Sequence, residues 1–171
     1  NAGVRLTLPD VTQEKAVVQI ETALRNDADQ AVKCTLITRV LDKSGKAVAT
    51  AKEEVALEAK GEVMLTQKTE PIPNPNLWSP DSPYLYTVET TVMKGRHATD
   101  QVTTRLGIRW CTWDKEKGFF LNGKHLKLVG ANRHQGWPFI GYAVPNRLHR
   151  SDAEQIKKMG ANWVRLSHYP Q

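Results

Sequence analysis

From Ala16 to Leu106 the chain runs in stretches where apolar and polar residues alternate, each closed by a turn-forming cluster. Val18, Ile20, Thr22 and Leu24 share one face of the first stretch, and Val32, Cys34, Leu36, Thr38 and Val40 one face of the next. A period of two lets a strand bury one face only, so such segments must be covered by a second layer. Asn26-Asp27-Ala28-Asp29, Lys43-Ser44-Gly45-Lys46, Lys60-Gly61-Glu62 and Lys94-Gly95-Arg96 read as turns. The spacing predicts strands over 16–24, 31–41, 47–57, 63–69, 84–93 and 97–106, with turn signals at intervals of roughly 10–15 residues. About seven strands in this stretch point to an antiparallel, immunoglobulin-like β-sandwich. The proline-rich passage from Pro71 to Pro83 breaks the alternation, because proline cannot donate to a sheet ladder. It reads as an extended crossing, with Trp78 as the residue that packs it onto the sandwich.

After Arg109 the pattern changes. Asn122-Gly123 between two apolar runs is the strongest short hairpin signal, of the type I′ kind. Lys127 to Asn132 reads as a short buried strand, followed by a loop from Arg133 to His149 rich in aromatics and histidine. Ser151 and Glu154 stand in capping-box spacing with Asp152 beside them, which predicts a helix beginning there, with an apolar stripe of Ala153, Ile156 and Met159 and a stop at Gly160. Asn162 to Ser167 reads as a second strand. Strand, loop, helix and strand make one βαβ unit, hence a parallel pair. Two parallel strands are seldom a whole sheet. The region is therefore expected to open a larger α/β domain and to leave strands exposed, which predicts self-association. Asn1-Ala2 resembles the scar of a cleaved tag, and the chain reads as an excised piece of a longer polypeptide.

Charge divides along the same line. Residues 1–108 hold 13 Lys and Arg against 14 Asp and Glu, whereas residues 109–171 hold 11 against 4, so the net charge of +6 belongs to the second region. Those basic residues scatter over hairpin, loop and helix without a continuous stripe, which argues against a nucleic-acid partner. No apolar run reaches the roughly 18–20 residues of a membrane span, so no membrane partner is expected either. No N-terminal segment joins a basic stretch to an apolar core in the manner of a secretory signal. Cys34 and Cys111 have neither disulfide-framework nor metal-ligand spacing, and both are read as free, mostly buried thiols. They leave periplasm and cytoplasm equally open. His134 and His149 lack a third ligand for zinc, and no phosphate loop or nucleophile elbow occurs, so no metal and no cofactor are expected.

Leu106-Gly107-Ile108-Arg109, Gly118 to Lys124, Gly130-Ala131-Asn132-Arg133-His134 and Asn162-Trp163-Val164-Arg165-Leu166-Ser167-His168-Tyr169-Pro170 stand in the order found in glycoside hydrolase family 2, which the chain resembles. The likeness is strong from about Leu77 onward and architectural before it. It implies a mainly β fold: an immunoglobulin-like β-sandwich over 1–108, followed over 109–171 by the truncated first βαβ portion of a TIM (β/α)8 barrel. It also implies a retaining exo-β-glycosidase, β-galactosidase before β-glucuronidase or β-mannosidase, acting on a β-linked carbohydrate. A stand-alone immunoglobulin-like module that binds glycan or protein is the alternative. Catalytic residues of such barrels gather at the C-terminal ends of strands. The resemblance thus marks Asn132, Arg133, His134, Arg165, Ser167 and His168 as substrate-binding. His134 and His168 would contact sugar hydroxyls, and Arg165 would keep a nucleophilic carboxylate ionised. The bland reading of Arg133 is a salt-bridge partner inside the barrel. His97, His125 and His149 read as surface residues, and Asp152 and Glu154 as helix-capping groups. Both catalytic glutamates of the family come from later strands, so no catalytic residue is expected in these 171 residues. Two departures bear on sugar specificity: Gln135 and Gly136 where many relatives carry an acidic residue, and Leu166 where a small one is usual.

Overall fold

The computed structural model describes residues 3–168, in two compact units. The first comprises residues up to Cys111 together with Leu121–Gly123, and is a sandwich of two antiparallel sheets. One sheet is built from β1 (Val4–Val11), β2 (Lys15–Arg25) and β5 (Glu62–Lys68) in the order β1-β2-β5, with the two-residue β6 (Ile72–Pro73) also on β2. The other holds β3 (Val32–Leu41), β4 (Ala47–Leu57), β7 (Tyr86–Lys94) and β8 (His97–Leu106) in the order β4-β3-β7-β8. The alternation of the sequence is the burial pattern of these strands: Val18, Ile20, Leu36, Val40 and Val88 are almost fully covered. Each such side chain contributes about 1.5–3 kcal/mol of transfer free energy.

Polar groups also cross the core. The Thr38 hydroxyl donates to Gln67 Oε1 at 3.0 Å and lies 3.3 Å from the Thr90 hydroxyl, while Gln67 Nε2 donates to the Leu36 carbonyl at 3.3 Å. Gln67 belongs to one sheet and Thr38 and Thr90 to the other, so the contact fixes how the layers face each other. Asn26 is buried in the first turn cluster. Its amide donates to the carbonyls of Gln30 and Glu58, and its carbonyl accepts from the Ala28 amide.

Trp78 packs as the sequence predicts. Its backbone N–H donates to the Ile108 carbonyl at 2.8 Å, and the Arg109 guanidinium stands 4.8 Å from its ring centroid. The buried Tyr86 hydroxyl accepts from the Asn76 amide at 2.8 Å and so holds the proline-rich crossing from the other side. The Asn122-Gly123 turn has both residues at positive φ, 52° and 75°, as a type I′ turn requires. It joins β10 (Gly118–Leu121) to β11 (Lys124–His125), in a small sheet with β9 (Cys111–Asp114). Asn122 Nδ2 donates to the Trp78 carbonyl at 3.0 Å and Asn122 Oδ1 accepts from the Trp110 amide at 3.1 Å.

Three expectations are corrected here. β1 was absent from the sequence reading, because Pro9 and a register shift between Thr7 and Asp10 interrupt its alternation after Leu8. Cys111 is exposed, since β9 has no covered position; only Cys34 is a buried thiol, and burial pushes its pKa up. The strand expected over Lys127–Asn132 is instead β12 (Gly130–His134), pairing in parallel with β13 (Trp163–Ser167).

The second unit comprises Thr112–Phe120 and residues from Lys124 onward. Its helix, α1, runs over Asn146–Lys158, six residues earlier than the capping box at Ser151 predicts. Pro145, in extended conformation at the N-cap, sets the start: its carbonyl accepts from Leu148 and its ring fixes the entering φ. Ser151, Asp152 and Glu154 therefore lie inside the helix and cap nothing, and the intervening loop is shorter than expected. At the C-terminus the amide of Gly160 (φ 90°) donates to Lys157 and that of Ala161 to Ile156, a Schellman stop. The half-buried stripe of the helix is Leu148, Asp152 and Ile156 at four-residue spacing, rather than Ala153, Ile156 and Met159.

Candidate active-site face

Residues β12 and β13 place side by side follow from their register. Asn132 pairs with Arg165 and His134 with Ser167. Partners in a parallel ladder project to the same side, so these four share one face, while Arg133 and Leu166 take the other. On the shared face Arg165 Nη1 donates to Ser167 Oγ at 3.2 Å and approaches Asn132 Oδ1 at 3.5 Å. The rings of His134 and His168 meet edge to face with centroids 5.6 Å apart. Ser167 is buried, whereas Asn132, His134, Arg165 and His168 are exposed. The peptide bond between Ser167 and His168 is cis. Tyr169 and Pro170, part of the second motif, lie outside the described residues.

Such a face can recognise a polyhydroxylated ligand. It presents two imidazoles, an amide, a hydroxyl and a guanidinium, which between them donate to and accept from hydroxyl groups in several directions. The guanidinium is a fixed positive charge that favours any carboxylate brought near it.

Arg133 departs from the group. Its Nε donates to Asp152 Oδ2 at 2.8 Å, and its Nη2 donates to the same oxygen and to His149 Nδ1 at 2.8 Å. Guanidinium groups only donate, so His149 accepts at Nδ1 and carries its proton on Nε2. The Arg133 side chain is 10% exposed and that of Asp152 22%, which makes this the most enclosed ion pair among the described residues. Trp137 Nε1 points to the same Asp152 oxygen at 3.4 Å. The expectation that Asp152 caps the helix fails because Asp152 serves as the counter-ion of Arg133. His149 is half-buried and bonded to Arg133, not a free surface residue. Asp152, His149 and Trp137 were invisible as a group in the sequence. Only the placement of an acid four residues before Ile156, on the inward stripe of a helix, could have signalled a buried partner.

The other acidic side chains of the unit offer little as acid or base. Asp114 is fully exposed and accepts the backbone amides of Lys117 and Glu116, which hold its carboxyl below the usual range. Glu116 and Glu154 are exposed. Among the described residues no group of three His, Cys, Asp or Glu is placed to hold a metal ion, and no helix is long and apolar enough to cross a membrane.

A β-sandwich followed by a parallel strand–helix–strand unit, with polar residues clustered at the strand ends, is the order of a β-sandwich module and the opening of a β/α barrel. The chain belongs to glycosyl hydrolases family 2: the family model of that description matches residues 3–109, and the model described as its TIM barrel domain matches residues 114–171. It is similar to the β-galactosidase BoGH2A of Bacteroides ovatus, 36% identical over 98% of this chain and 20% of that protein. A β-glucuronidase of Bacteroides fragilis is 36% identical over 99% of this chain and 24% of its own length. Among solved structures, a β-glucuronidase of Bacteroides uniformis superposes with a TM-score of 0.94 at 36% identity, over 99% of this chain and 20% of that one. The chain thus spans about a fifth of the length of the relatives it matches.

Proposed function

We propose that the chain is part of a retaining exo-β-glycosidase acting on terminal β-linked galactosides, and that the face formed by Asn132, His134, Arg165, Ser167 and His168 binds the sugar being cleaved. The observation that carries this reading is the register of β12 and β13, which gathers these side chains at the strands' C-terminal ends, all but Ser167 exposed. In β/α barrels that end hosts the chemistry. In this division of labour residues 1–108 are scaffold and residues 109–171 belong to the catalytic domain. Retaining hydrolysis needs two carboxyl groups about 5–5.5 Å apart, a nucleophile and an acid/base. Neither is on this face, so later parts of the barrel supply both. Arg165 then acts electrostatically: its charge keeps the nucleophile ionised. The imidazoles and Asn132 hold ring hydroxyls, whose hydrogen bonds tighten as the oxocarbenium-like transition state develops.

Both β-galactosidases and β-glucuronidases are among the relatives. Steady-state kinetics of the full-length enzyme on matched aryl β-galactoside, β-glucuronide and β-mannoside are expected to give the highest kcat/KM on the galactoside. A faster glucuronide would overturn the sugar while leaving the reaction class. The purified 171-residue chain is expected to show no turnover on any of them; measurable hydrolysis would sink the assignment of catalysis to later strands. The exposed apolar side chains Val164 and Leu166 on β13 support self-association of the isolated chain. Sedimentation should then show mass rising with concentration, and a constant monomer mass would refute it.

A further inference from the structure

We propose that Arg133 is a positioning residue that sets His134 for sugar binding, an inference that rests on the sugar-binding reading of the face above. Two tethers, one on each side of His134, carry it. Arg133 immediately precedes His134 in β12 and is fixed from the helix side by Asp152 and His149, with its Nε 2.8 Å from Asp152 Oδ2 and its Nη2 2.8 Å from His149 Nδ1. Trp137, three residues after His134, reaches that same carboxylate oxygen at 3.4 Å. The backbone is therefore tethered on both sides of His134 to one atom of α1. Between the tethers Gln135 is buried at 4% exposure, and the loop is closed by reciprocal backbone hydrogen bonds between Trp137 and Gly141 of 2.9 and 3.0 Å. His134 itself is exposed, and its ring meets that of His168 on the face. Among the described residues its side chain makes no hydrogen bond, so its direction is inherited from the strand end and from the packing of the two rings. Arg133 supplies that hold with a planar fork bonded to two residues of the helix, a geometry lysine cannot copy.

The test is a double-mutant cycle in the full-length enzyme, using Arg133→Met and His134→Ala, with kcat and KM for the aryl β-galactoside expressed per folded molecule. Coupled neighbours give non-additive losses, whereas independent ones multiply. Arg133→Met alone is expected to lower kcat/KM about tenfold, and by less than about twofold when His134 is already alanine. Arg133→Lys should recover only part of the loss. If Arg133→Met does not fold, Asp152→Asn enters the same cycle with the same expectation. Equal losses in both backgrounds, or a fall in melting temperature with kcat and KM unchanged, would overturn the positioning role and leave the sugar-binding reading intact. A His134→Ala enzyme with unaltered kcat/KM would instead overturn that reading, and this proposal with it.

Discussion

Replacing His168 by alanine in the full-length enzyme is expected to lower kcat/KM on its aryl β-glycoside by about 10²–10³-fold, with the melting temperature nearly unchanged. The magnitude follows from hydrogen bonds to ring hydroxyls that strengthen in the transition state and supply several kcal/mol. The small effect on stability follows from exposure: His168 is open to solvent, and among the described residues its ring packs against that of His134. The loss should fall mainly on kcat, because an interaction formed fully only in the transition state does not appear in ground-state binding. Steady-state kinetics beside a thermal melt measure both quantities. A loss below about threefold would mean that His168 does not touch the sugar.

Gly130→Ala is expected to destabilise the barrel opening by about 3 kcal/mol or more, while Gly136→Ala is expected to change it by less than about 0.5 kcal/mol. A Cβ on Gly130 would stand 2.2 Å from the Trp163 carbonyl oxygen and 2.8 Å from that residue's carbonyl carbon and Cε3. Backbone cannot swing aside as a side-chain end can, so β12 and β13 would have to separate at their first paired position, Gly130 with Trp163. At Gly136 the nearest atoms belong to the Tyr142 ring at 3.8–4.0 Å, an ordinary contact. Hydrogen exchange of the β12 and β13 amides in the two variants provides the measurement. Equal protection in both would remove the steric argument.

These two expectations also mark how far the sequence could be read. The sandwich was legible wherever alternation ran unbroken, as in β2, β3 and β7, because burial on one face leaves a period-two trace. β1 escaped because Pro9 and the shift beyond Thr7 leave only Val4, Leu6 and Leu8 in phase. The helix was legible as an element but not in its start. A Ser-x-x-Glu spacing has the same letters within a helix as at its end, and Pro145 outweighed it. The shared face was legible through its two motifs, since register alone brings Asn132 to Arg165 and His134 to Ser167. The partners of Arg133 were not. Asp152 lies 19 residues away and His149 16, and nothing local to a helix tells which carboxylate will find a buried guanidinium. Gly130 stands in a motif, but its reason is an approach of two backbones that no local pattern encodes.

The Asn122 side chain bears on how this region can vary between relatives. Its amide and carbonyl join the Trp110 backbone on one side and the Trp78 carbonyl on the other, while its own backbone N–H donates to the Trp110 carbonyl at 3.0 Å. Residues 111–121 thus leave and return through one clasp. Lengthening a loop whose ends are already joined costs only about 0.6 kcal/mol per doubling. Insertions and deletions in the turn between β9 and β10, residues 115–117, should therefore be common among homologues, whereas position 122 should hold asparagine.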